Sequence, residues 1–188
     1  VFVKPPKPSF PLNPKKQAWS KWEWYDVVAD WNWTGSENKP FEVSVYSSCD
    51  EAELFLNEKS LGKKPTNRET KFTATFSVPY QAGTLKAVGY TNGRLISIAE
   101  LQTAKQASQI VLFPDRTEVK ADGQDLIYII VELKDANGIR NPKAENLVRF
   151  KVDGGTIVGV GNANPVSLES YQLPQRKAWQ GRCLVIVK

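Results

Sequence analysis

"GTLKAVGYTNGRLISIAELQT", Gly83–Thr103, decides the fold. On both sides of Asn92-Gly93 apolar and other residues alternate with a period of two, the spacing of a strand with one covered face. Asn and Gly both tolerate the positive φ of a type I′ turn, so the stretch predicts a β-hairpin with its tip at Asn92-Gly93. Upstream, "FEVSVYS" (Phe41–Ser47), "AELFLN" (Ala52–Asn57) and "KFTATFSV" (Lys71–Val78) alternate in the same way, with a turn at "NEKS" and a stop at Pro79. Downstream, the short polar break "AKQAS" (Ala104–Ser108) precedes a second series of runs. Its members are "QIVLFPD", "LIYIIVELK" ending at Lys134, "LVRFKVDGG", "TIVGV" and the final "GRCLVIVK". A second Asn-Gly, Asn137-Gly138, predicts another hairpin tip. The expected class is all-β: two tandem immunoglobulin-like β-sandwiches, residues 19–103 and 109–188, joined by the linker 104–108. Residues 1–18 hold Pro5, Pro6, Pro8, Pro11 and Pro14 among lysines and read as an extended connector.

Composition removes several function classes. The 188 residues carry a formal charge of +5, yet Lys4, Lys7, Lys15, Lys16 and Lys21 all precede the first acid, Glu23. The remainder is therefore balanced, and no nucleic-acid partner is expected. No apolar run approaches the ~20 residues of a membrane helix. Histidine is absent, which excludes imidazole acid–base chemistry and His-ligated metals. Cys49 and Cys183 fit no metal spacing and read as free, packed thiols. No catalytic residue, metal site or cofactor is expected. Glu51 with Glu53, and Asp122 with Asp125, are read as separate surface acids.

"VGVGNANPVSLESY", Val158–Tyr171, imitates a phosphate loop with Gly159 and Gly161. The third glycine is replaced by Asn164, and Pro174 interrupts the region where a helix would have to run. The glycines are expected to let a strand bulge, and Asn162 and Asn164 to satisfy the loop backbone. Five tryptophans crowd between Trp19 and Trp33. Trp22, Trp24, Trp31 and Trp33 are the candidate carbohydrate-binding residues, because exposed indoles stack on sugar faces. The competing reading packs Trp31 and Trp33 from one face of a first strand into the core or a neighbouring domain. At least two of these five tryptophans are expected to be exposed.

The stretch from "ADWNWTG" to "RLISIAELQTA", with Val45-Tyr46-Ser47, Glu53-Leu54-Phe55-Leu56-Asn57, Ser60-Leu61-Gly62 and Gly83–Ala87, resembles the immunoglobulin-like domain behind the catalytic barrel of glycoside hydrolase family 2 enzymes, chiefly bacterial β-galactosidases. "ADGQDLIYIIVELKDANG" and "AWQGRCLVIV" are similar to the invasin-like C-terminal domain of the same enzymes. The pattern departs at Asp30, where the family has His, and at Ala163, where it has Gly. The resemblance implies a non-catalytic accessory region whose partner is an upstream catalytic barrel carrying both catalytic carboxylates, in a periplasmic or secreted bacterial protein. Its alternatives are a carbohydrate-binding module, with carbohydrate as partner, and an adhesin-type stalk. The chain is expected to continue at both ends, the last strand lacking a closing turn.

Overall fold

The structure is a computed structural model that describes residues 1–6 and 26–188. Among these residues every regular element is a β-strand, and every strand pairing is antiparallel. The chain divides into two compact units, Val1–Thr103 and Ala104–Lys188.

In the first unit β1 (Phe2–Val3) pairs with β2 (Pro40–Tyr46), which pairs with β5 (Thr73–Pro79). The second sheet contains β3 (Glu51–Leu56), β4 (Lys59–Pro65), β6 (Thr84–Thr91) and β7 (Arg94–Gln102), in the order β4-β3-β6-β7. Alternation decides which side chains meet. Phe41, Val43 and Val45 from β2 join Ala74, Phe76 and Val78 from β5, and pack with Ala52, Leu54, Leu56, Leu85 and Ala87 of the other sheet. Each such burial contributes about 1.5–3 kcal/mol for the larger aliphatic and Phe side chains.

The hairpin tip at Asn92 and Gly93 has positive φ at both residues, 50° and 73°, as a type I′ turn requires. Asn57 and Glu58 make the same turn between β3 and β4, at 49° and 65°. The Asn57 side chain continues past its own turn: its Oδ1 accepts from the Thr84 N–H (2.9 Å) and its amide donates to the Ala82 carbonyl (3.1 Å). Strand β7 departs from the expectation of one covered face. It is the edge of its sheet, and Leu95, Ile96 and Ile98 stand exposed.

The second unit places β8 (Gln109–Pro114), β9 (Ile127–Lys134), β11 (Ile157–Gly161) and β13 (Arg182–Val187) in one sheet, ordered β11-β13-β9-β8. The short strands β10 (Leu147–Arg149) and β12 (Gln175–Lys177) form the other. The last strand is thus not left unpaired: β13 is interior, flanked by β9 and β11. Residues from Lys105 to Ser108 are tied into this unit. The Lys105 N–H donates to Asp135, its carbonyl accepts from the Asn141 amide, and the Ser108 N–H donates to the Lys134 carbonyl.

The second Asn-Gly makes a different turn. Only Gly138 has positive φ (79°), and the Gly138 N–H closes the turn on the Asp135 carbonyl at 3.0 Å. Asp135 dictates this choice. Its buried carboxylate accepts the backbone N–H groups of Asn137 (2.9 Å) and Ile139 (3.0 Å) besides that of Lys105 (2.8 Å).

Those N–H donors, Lys105 first, hold the Asp135 carboxyl below the ordinary Asp range against the opposing effect of desolvation. A carboxyl depressed in the folded state stabilises above its unfolded pKa and loses that contribution as pH falls through the folded one. The urea midpoint is therefore expected to fall from about pH 4 downward. In Asp135→Asn the acid limb should be flatter and the midpoint lower at neutral pH. An unchanged acid slope in this variant would show that the carboxylate carries none of the linkage.

Candidate functional site

Residues 29–33, which carry Trp31 and Trp33, are irregular rather than a strand. After Val28, which bridges to Val3, Asp30 folds the chain locally: its Oδ1 accepts both the Asn32 N–H (2.9 Å) and the Asn32 side-chain amide (2.7 Å). The strand expected to carry Trp31 and Trp33 is therefore absent, because these side-chain bonds compete with sheet pairing. Trp31 has no exposed surface. Its ring meets Phe41 and Tyr80 at centroid distances of 6.1 and 5.1 Å, and its indole N–H donates to the Gln81 carbonyl at 3.0 Å. Trp33 is half-buried, tilted against the same Phe41 at 5.3 Å. With both faces in the core, Trp31 has no surface on which a sugar could stack. Trp19, Trp22 and Trp24 lie outside the described residues.

Beside Trp31, the Tyr80 hydroxyl is buried with no hydrogen-bond partner among the described residues. An unpaired buried hydroxyl costs about 1–3 kcal/mol in desolvation. Tyr80→Phe should raise the stability of the chain by roughly 1 kcal/mol, read as a higher urea midpoint at constant slope. A fall of that size would mean the hydroxyl is satisfied in solution.

The acids singled out in the sequence do structural work. Glu53 accepts from the Ser60 hydroxyl (2.6 Å) and the Tyr90 hydroxyl (3.2 Å), and Glu51 pairs with Lys63 at 3.5 Å. Asp122 accepts the N–H groups of Gln124 and Asp125, while Asp125 accepts that of Lys120. In the second unit the buried Glu132 carboxylate lies among Arg182, Lys134 and Arg140. Burial pushes its pKa up, and the Arg182 guanidinium at 2.6 Å, with Lys134 at 3.3 Å, outweighs burial and holds it below the usual Glu range. Cys49 and Cys183 are both free and buried. Burial pushes the Cys183 thiol up to about 11, so it carries no thiolate at neutral pH.

The loop that imitates a phosphate cradle is filled by a side chain of its own protein. Arg176, on β12, is completely buried. It donates to the Glu169 carbonyl (2.9 Å) and to Asn162 Oδ1 (3.0 Å), lies 4.7 Å over the Tyr171 ring, and has its Nε 3.8 Å from a Glu169 carboxylate oxygen. Asn162 Oδ1 also takes the Asn164 N–H, and Asn164 Oδ1 takes that of Val166. The Asn162 amide reaches the Lys177 carbonyl at 2.8 Å. Strand β11 has its register shift between Ile157 and Gly159, a β-bulge at the position the glycines suggest.

This all-β pair of units has recognisable relatives. Residues 110–188 match the family model "Glycoside hydrolase family 2 C-terminal domain 5", and residues 38–97 match "Domain of unknown function (DUF4982)". A crystal structure of a glycosyl hydrolase family 2 member from Bacteroides cellulosilyticus superimposes with a TM-score of 0.93 at 51% identity, over 99% of this chain and 24% of its own. The chain belongs to the C-terminal region of glycoside hydrolase family 2. A β-galactosidase of Bacteroides ovatus is 38% identical over 88% of this chain, and a β-glycosidase from Bacteroides vulgatus superimposes with a TM-score of 0.80 at 34% identity over 85% of this chain and 20% of its own. The chain spans about a fifth of the length of the curated relative from B. ovatus. The features of this family 2 region that sequence reasoning missed are Arg176, Asp135 and Tyr80. Only Asp135, at the head of Asp-Ala-Asn-Gly, carried a local signal; Arg176 sits in a short polar run with nothing to mark it as buried.

Proposed function

We propose that this chain is a non-catalytic accessory region of a β-galactosidase-like family 2 glycosidase, built to support the catalytic barrel. The observation that carries this reading is the 0.93 superposition over 99% of the chain on a family 2 member of which it is only 24%. On this reading the parent cleaves terminal β-galactosides or related β-glycosides with two barrel carboxylates ~5–5.5 Å apart. The sandwiches are of immunoglobulin type, the second invasin-like, and the parent acts in the periplasm or outside the cell. A carbohydrate-binding role would fall to Trp33, Trp22 and Trp24, since Trp31 is sealed in the core.

Turnover of nitrophenyl β-galactoside and nitrophenyl β-glucuronide by the full-length gene product and by the 188-residue chain tests the proposal. The full-length product should turn over one of them and the chain neither. Turnover by the chain, abolished by Glu53→Gln or another of its own acids, would overturn it; so would a full-length product with no glycosidase activity.

A further inference from the structure

The loop from Asn164 to Leu173 has its backbone fixed inward and its apolar side chains turned outward. Leu168 is 100% exposed and Val166 79%, and Tyr171 and Leu173 are each more than half exposed. The anchoring beneath them is extensive. Arg176 holds the Glu169 carbonyl, Glu169 Oε1 accepts the Lys177 N–H at 3.3 Å, and the Tyr171 carbonyl accepts the Val160 N–H at 2.8 Å. A loop with only water to face gains nothing from presenting four large apolar side chains. A loop whose backbone is already ordered, by contrast, loses little further entropy when those side chains are covered.

We propose that this loop is the surface through which the second unit seats on the catalytic domain of its own polypeptide, against an uncharged apolar face there. The inference rests on the reading given under Proposed function. Two observations select this occupant. Glu169 is the sole charged residue between Asn164 and Gln175, and it is already paired with Arg176, so a charged partner such as a phosphate backbone or an acidic peptide meets nothing to pair with. In addition, the B. cellulosilyticus relative matches this chain almost end to end while carrying about three-quarters of its own length outside the match. That length is large enough to supply a covering domain in the same polypeptide.

Hydrogen exchange of residues 164–173 in the full-length product, compared with the 188-residue chain, tests the assignment. Protection on the order of tenfold or more is expected in the full-length product. The double variant Leu168→Asp, Leu173→Asp should abolish that protection while leaving the thermal midpoint of the 188-residue chain unchanged. Equal exchange in both proteins overturns the inference; if that preparation still turns over a nitrophenyl β-glycoside, the accessory-region reading survives alone. A full-length product without turnover overturns that reading and the docking assignment with it. Protection that rises with the concentration of the 188-residue chain would assign the loop to a second copy, and protection on adding galacto-oligosaccharide would assign it to sugar. Either result overturns the proposal.

Discussion

Trp31→Ala is expected to cost the first unit about 4 kcal/mol, within the range found for removing a large aromatic from a packed core. The indole is fully buried between Phe41 and Tyr80 and gives up a hydrogen bond to the Gln81 carbonyl when it is removed. Domains of this size are stable by about 5–15 kcal/mol, so the loss consumes a large part of the total. Chemical denaturation should show the midpoint of the first unit falling sharply. A loss below about 1 kcal/mol would contradict the burial described above. The same result bears on the sugar-binding alternative. Reduced glycan affinity in Trp31→Ala would report unfolding rather than a lost stacking platform, so Trp33→Ala, where the ring is half-buried, is the informative variant for that question.

The Arg176–Glu169 pair carries the largest expected effect in the second unit. The buried hydrophobic cluster there contains no aromatic ring among the described residues, whereas that of the first unit contains Trp31, Phe41, Phe76 and Tyr80. A smaller core places more weight on polar links. Arg176→Ala removes two hydrogen bonds and the filling of the loop, and about 3 kcal/mol is expected, near the low end for breaking a buried pair because Glu169 is partly open to water. Glu169→Gln should cost at least as much, since it strands the guanidinium in the interior without a counter-charge. The double variant Arg176→Met, Glu169→Gln should recover part of the loss, because a desolvated pair is replaced together. Arg176→Lys should not rescue: one ammonium cannot serve Asn162 Oδ1 and the Glu169 carbonyl with a planar fork. Denaturant midpoints of the wild type, Arg176→Met, Glu169→Gln and their double variant decide the matter, and strictly additive losses would show that the two residues are not coupled.

Strand positions were legible because alternation is a property of neighbouring residues and survives without knowledge of what lies opposite. Phe41, Val43 and Val45, or Ala74, Phe76 and Val78, mark their buried face in the chain itself, and Asn92-Gly93 carries the turn's backbone preference in two residues. Asn137-Gly138 shows the limit of that signal, since three N–H bonds to Asp135 selected another turn from the same dipeptide. The family resemblance was equally legible, because its motifs are short runs on consecutive strands. What became of individual side chains was not. The sequence left Trp31 open to two readings, sugar platform or packed core, until Phe41 and Tyr80, 10 and 49 residues away, enclosed it. Nothing in the chain marks Arg176 as buried, and the folding of residues 162–171 around it provides the acceptors that make its burial tolerable. The sequence by itself determined most of the strands, the Asn92-Gly93 hairpin and the family, all of which depend on local pattern. It placed a strand at Trp31 and Trp33 where there is none, and read as connector the Phe2–Val3 segment that pairs as β1. The tertiary structure alone decided which aromatic is core, which charge is interior and which aliphatics face water, because burial is set by partners that adjacency in the chain does not reveal.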